Sequence, residues 1–97
     1  MHARVVTTQI KPESLEEAIR IWQEKVIPTL KGAKGFKSGY MTGNRQSGKG
    51  VVVTFWETEA DATGWNISGK YQEVIAHFAR LFTAPPTQEQ LEVFVQV

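Results

Sequence analysis

The 97-residue sequence contains no cysteine. Disulfides, thiolate nucleophiles and cysteine-ligated metals are therefore excluded, while the redox compartment stays open. Histidine is scarce as well: His2 and His77 stand far apart in the chain, so a dedicated transition-metal site is not expected. No apolar run approaches the ~18 residues of a membrane helix. The segment Met1–Thr8 carries no cleavage-like signal, so the expectation is a cytoplasmic protein with no membrane partner. An excess of one charge is missing too, because 11 basic residues balance 10 acidic ones to within +1. Lys31, Lys34 and Lys37 cluster around Gly32 and Gly35 and read as a solvated loop, so no nucleic-acid partner is expected. The P-loop, dinucleotide fingerprint, paired-histidine zinc motif and nucleophile elbow are all absent, so no motif of high specificity names a reaction.

What is present is an ordinary globular composition, 41% hydrophobic, with three Trp and five Phe. The length fits one domain spanning residues 1–97, which buries only about 60–65% of its unfolded surface. Pairing with a second copy is an economical way to cover the apolar remainder.

Residues 3–10 alternate β-branched and polar side chains and read as a strand that Pro12 ends. Ser14 and Glu17 have the spacing of a capping box. Leu15, Ala18, Ile19, Trp22, Val26 and Leu30 then follow at helical spacing, and Pro28 is expected to kink or end the last turn. Phe36 to Asn44 reads as a strand, with Phe36, Tyr40 and Thr42 sharing one face. A hairpin loop over 44–50 leads into Val51–Trp56, the strongest strand signal in the chain.

That strand is apolar on both faces, as in a sheet covered on both sides. Helices on one face and a partner subunit's sheet on the other would cover it, with Val52, Thr54 and Trp56 or their neighbours on the open face. Thr58 caps a short helix through Trp65, and a second helix follows from about Lys70 to Phe82. Ala84–Thr87 is a connector, and Leu91, Val93, Val95 and Val97 alternate as a last strand. The order gives an α+β, ferredoxin-like β-α-β-β-α-β fold with a four-stranded antiparallel sheet.

Trp56, Trp65 and Tyr71 close consecutive elements. They either rim a pocket for a flat, partly polar aromatic molecule or fill the core with their N–H and O–H groups satisfied locally. Tyr40, Trp56 and Trp22 are candidates for that pocket or for the dimer face, and Asn44 is a weaker loop candidate. His77 sits about 120° from the centre of its helix's apolar stripe, where a solvated histidine is the ordinary case.

From Val51 through Glu57, Thr58, Glu59 and Ala60 to Trp65, the chain resembles the antibiotic biosynthesis monooxygenase family of dimeric α/β barrels. Pro28 and the Gly35–Phe36 pair also resemble that family's pattern. The resemblance implies a homodimer with a pocket between sheet and helices in each subunit. Its cofactor-free oxygenases hold a phenolic substrate with a Trp and a Tyr six positions later, which match Trp65 and Tyr71. An Asn of that branch falls on Asp61. The family's later pocket Arg has no aligned counterpart, Arg80 being merely nearby.

In the haem-degrading branch the same Trp joins an Asn, falling near Thr7 or Thr8, and a His, falling on Ile75. His77 is two residues away, a turn of about 200° on a helix, so haem degradation is disfavoured. The expected function is a small cofactor-independent monooxygenase acting on an electron-rich aromatic, a hydroquinone or polyketide-like molecule. Trp65 and Tyr71 would orient the ring, and Asp61 or His77 would handle the proton. The alternatives are a non-catalytic dimeric binding or regulatory module, or a haem-binding protein.

Overall fold

The computed structural model describes residues 1–97. Strand β1 (His2–Gln9) leads through a 3-10 turn, Pro12–Ser14, into helix α1 (Leu15–Ile21). A π-helical turn (Trp22–Val26) and helix α2 (Ile27–Lys31) extend α1. Strands β2 (Phe36–Gly43) and β3 (Lys49–Trp56) form a hairpin, followed by α3 (Glu59–Asn66), α4 (Gly69–Ala76), a 3-10 turn (Ala79–Leu81) and β4 (Thr87–Glu92). The sheet order is β2-β3-β1-β4 and every pairing is antiparallel. This is the expected ferredoxin-like α+β architecture, with β1 and β3 central. No helix is long and apolar enough to cross a membrane.

The hairpin loop is set by its own side chains. Asn44 Oδ1 accepts from the N–H groups of Gln46 and Ser47 at 2.8 and 3.0 Å, the local bonding that makes Asn a turn residue. Gly48 has φ +79°, and a Cβ there would lie 2.0 Å from the Ile10 carbonyl oxygen. Only glycine fits.

Four local expectations are corrected. Ser14 does not cap with its hydroxyl: Pro12 starts the 3-10 turn, which runs directly into α1 and supplies the first turn with backbone partners. Pro28 does not end the helix. The preceding turn widens so that Ile27 N–H bonds to Trp22 O, and this π-turn lets the helix continue past a residue that has no N–H to donate. On β2 the register shifts between Phe36 and Ser38. The extra residue, Lys37, puts Phe36 on the helix side against Trp56, ring centroids 5.5 Å apart. Tyr40 is left on the opposite face against Phe55 at 6.5 Å, so the two do not share a face. Finally, the last strand lies at Thr87–Glu92 instead of Leu91–Val97. Pairing with β1 ends at His2↔Glu92, where the partner strand itself begins.

On β3 the structure selects between the two sets that the sequence left open, and it is the neighbours that face away from the helices. Val52, Thr54 and Trp56 point toward the helices, and Trp56 is completely buried. Strand alternation leaves Val51, Val53 and Phe55 on the open face beside Ala3, Val5, Tyr40 and Leu91.

Candidate functional site

Between the sheet and the helices lies a cavity with about 90 Å³ of room for a water-sized sphere, within an envelope of about 790 Å³ that opens to solvent. Its floor is the inner face of the central strands, Val6 and Thr8 from β1 with Gly50 and Val52 from β3. Trp22, Val26 and Leu30 line it from the long helix, and Val74 and Ile75 from α4. The π-turn therefore carries two of the lining residues, Trp22 and Val26.

One end of the cavity is aromatic and polar. Trp65 and Tyr71 both line it, their rings 6.0 Å apart, and Trp56 backs Trp65 at 5.8 Å. Their relative position follows from three short polar devices. Thr58 Oγ1 accepts from Asp61 N–H at 3.1 Å and starts α3, as the sequence suggests. Ser68 Oγ then accepts from Tyr71 N–H at 3.1 Å and donates to Trp65 O at 2.8 Å. One hydroxyl thus joins the end of α3 to the start of α4, with a site ring on each side. Behind them, Trp56 Nε1 donates to Thr54 Oγ1 at 2.9 Å.

Arg4 is the residue that sequence reasoning missed. It lines the same end, is only 3% exposed, and stands directly across from Thr54 in the β1–β3 register. These two are the buried polar side chains of the protein. Arg4 Nε and Nη2 donate to Asn66 Oδ1 at 3.1 and 2.8 Å, and Nη2 donates also to Gln88 Oε1. Its guanidinium carbon lies 4.2 Å from the Tyr71 ring centroid, in cation–π range. The signal available in the sequence was positional: Arg4 has the alternation parity of Val6 on a strand that the fold makes central.

Residues 1–77 match the family model for antibiotic biosynthesis monooxygenases. The chain belongs to this family. The match runs from β1 to the end of α4, so it takes in the aromatic end of the cavity. No curated protein sequence matches the chain at a significant level.

Solved structures of the antibiotic biosynthesis monooxygenase fold superpose closely at low identity. A monooxygenase from the gene ActVA-Orf6 of Streptomyces coelicolor, in complex with nanaomycin D, has a TM-score of 0.84 and 16% identity, covering 99% of this chain and 89% of that one. A putative antibiotic biosynthesis monooxygenase from Caulobacter crescentus has a TM-score of 0.81 and 13% identity, covering 97% and 90%. The heme-degrader MhuD from Mycobacterium tuberculosis, with two hemes in its active site, has a TM-score of 0.76 and 16% identity, covering 100% and 99%. At these identities the likeness establishes the shared fold.

Within this antibiotic biosynthesis monooxygenase domain, the structure brings Trp65, Tyr71 and Trp22 to the cavity and leaves other candidates elsewhere. Trp56 is sealed in the core behind Trp65. Tyr40 is 59% exposed on the open sheet face. Asp61 sits at the start of α3 against Gly35, where a Cβ would meet its carboxylate at 2.1 Å, and it does not line the cavity. His77 is exposed at the end of α4 and does not line it either. Ile75, where the haem-degrading branch has histidine, turns an apolar side chain into the cavity.

Proposed function

We propose that the cavity binds a small electron-rich aromatic, a hydroquinone or polyketide-like molecule, and that the protein is a cofactor-independent monooxygenase acting on it. The observation that carries this reading is the Trp65–Tyr71 pair in the cavity wall. Two adjacent aromatic bodies, one with an indole N–H and one with a phenol O–H, orient a flat ring that has a polar edge. The reaction balances without a cofactor. A hydroquinone takes one atom of O₂ into the ring and becomes a hydroxyquinone, the other atom leaves as water, and the ring supplies the electrons. The protein's part is to exclude water, hold the ring and stabilise the anion that reacts with oxygen.

Oxygen uptake during aerobic incubation with simple hydroquinones tests this. The expected result is uptake well above the protein-free rate, reduced at least tenfold in both Trp65→Phe and Tyr71→Phe. Unchanged rates in the two variants would remove the proposed site.

A second reading, a binding or regulatory module without turnover, is favoured by a specific feature: no carboxylate and no imidazole lines the cavity. Tyr71 carries the one phenolic hydroxyl there. Ligand binding without oxygen uptake would select this reading. Haem is disfavoured by Ile75, an apolar side chain on the cavity wall where the haem-degrading branch has a histidine. A haem titration with no Soret shift is the expected result.

We infer further that two copies pair through their open sheet faces, as the resemblance implies. The support is the apolar centre formed by Val51, Val53 and Phe55, with Tyr40 and Leu91 59% and 48% exposed beside it. A native mass corresponding to one chain would overturn this.

A further inference from the structure

We propose that the cavity takes an aromatic acid, and that Arg4 is the receptor for its anionic oxygen. The inference needs the cavity to be the ligand site, as the proposed function does, but it stands whether or not the ligand is oxidised. A guanidinium keeps its charge in any protein environment, and a buried charge is costly unless it is paired. Arg4 is 97% buried by its 3% exposure and no carboxylate pairs with it. The protein's three ion pairs are Lys37–Glu57, Arg45–Glu16 and Arg80–Glu17, all formed by other residues.

The partners of Arg4 are neutral dipoles and a ring face: Asn66, Gln88 and Tyr71. They orient the guanidinium and leave its net charge in place. Those bonds use Nε and Nη2 only, so Nη1 donates to no protein atom. No sealed side-chain nitrogen or oxygen lacks a partner, which means that Nη1 keeps some accessible surface. The space beside Arg4 is the cavity. Among the lining residues the charged ones are Arg4 and Lys49, both cationic, so nothing there repels an anion or neutralises Arg4 in its absence.

The chemistry that fits is a planar oxygen anion on an aromatic ring, either a carboxylate or an ionised phenol. Its oxygen accepts from Nη1 in a charge-assisted hydrogen bond. The attached ring lies against Tyr71 and Trp65 and over Val6 and Val52.

The test compares 2,5-dihydroxybenzoate with its methyl ester, by calorimetric titration of the full chain. Charge-assisted hydrogen bonds are worth about tenfold or more in affinity, so the acid is expected to bind at least tenfold more tightly than the ester. It should also raise the melting temperature where the ester does not. Arg4→Met is expected to erase the preference, and Arg4→Lys to retain part of it. Gln88→Glu sets a carboxylate against Nη2 and is also expected to erase the preference while the fold is kept, which decides the matter if Arg4→Met does not fold. For the phenolate source the probe is 4-nitrophenol, whose absorbance reports its own ionisation. Binding to the wild type should favour the coloured anion, and binding to Gln88→Glu should not. Equal affinity for acid and ester, with no shift in nitrophenol ionisation, would overturn the role of Arg4 and leave the cavity reading intact. A folded Arg4→Met that retains the preference would do the same. Failure of the wild type to bind any of these probes would overturn both.

Discussion

The two faces of the central strands are built from alternate residues of the same few segments, yet the outer one is not what a lone monomer would favour. The helix-covered face carries the buried polar groups, Arg4 and Thr54, and an open cavity beside them. The face without helices has Ala3, Val5, Val51, Val53 and Phe55 at its centre and polar residues such as Ser38, Thr42, Thr87 and Glu89 at its margins. Antiparallel sheets with one solvated face usually turn their polar residues outward. An apolar centre with a polar rim is instead the pattern of an interface. Under the proposed function the difference separates two tasks, ligand binding on the inner face and burial against a second copy on the outer one.

The most severe way to probe this comparison is to truncate neighbours on one strand. Trp56 has no exposure and touches Phe36 and Trp65. Trp56→Ala is expected to cost about 3–5 kcal/mol, enough to leave so small a domain largely unfolded in a urea titration. Phe55, one residue earlier, is half-buried on the open face. Phe55→Glu should leave the far-ultraviolet circular dichroism unchanged while native mass spectrometry reports the single chain. Similar loss of folding in both variants would mean that the two faces do not divide the work in this way.

A smaller effect tests whether the polar groups of the inner face are structural. Thr54→Val keeps the shape but removes the acceptor of Trp56 Nε1–H. A buried donor left without a partner costs about 1–3 kcal/mol, read as a lowered urea midpoint. The same bond helps to align Trp56 behind Trp65, so ligand affinity should fall with it. A change under ~0.5 kcal/mol would imply that the indole finds another acceptor.

Much of this organisation is legible in the residues themselves. Val51–Trp56 announces a central strand, Thr58 its helix cap, and the element order a ferredoxin-like sheet. The faces were harder to read because period-2 alternation has no memory of an inserted residue. Lys37 shifts the register and separates Phe36 from Tyr40, and on β3 both parities are apolar, so the pattern alone does not say which side the helices cover. Ser14 carries a cap motif, but Pro12 starts a tighter turn ahead of it. Arg4 escaped notice for an energetic reason: a lone arginine ordinarily lies in water, and its burial depends on Asn66 and Gln88, which stand 62 and 84 residues away. Trp65 and Tyr71 stood out by type and position, whereas the distances of Asp61 and His77 from the cavity depend on how α3 and α4 pack.

The mildest change bears on the helix layer, which the inner face has and the outer face lacks. Ser68 is half-buried between α3 and α4, and its hydroxyl holds Tyr71 N–H and Trp65 O at 3.1 and 2.8 Å. Ser68→Ala removes an N-cap and is expected to cost about 1 kcal/mol, a loss that the fold survives. The two rings lose the atom that ties their backbones together, so the near-ultraviolet dichroism of the coupled aromatics should weaken. If the ring pair orients the ligand, affinity for an aromatic acid should fall more than the melting temperature suggests. Affinity that stays at the wild-type value in a folded Ser68→Ala would show that the rings are held by packing against Trp56 alone. The inner face would then be sufficient without the link between α3 and α4.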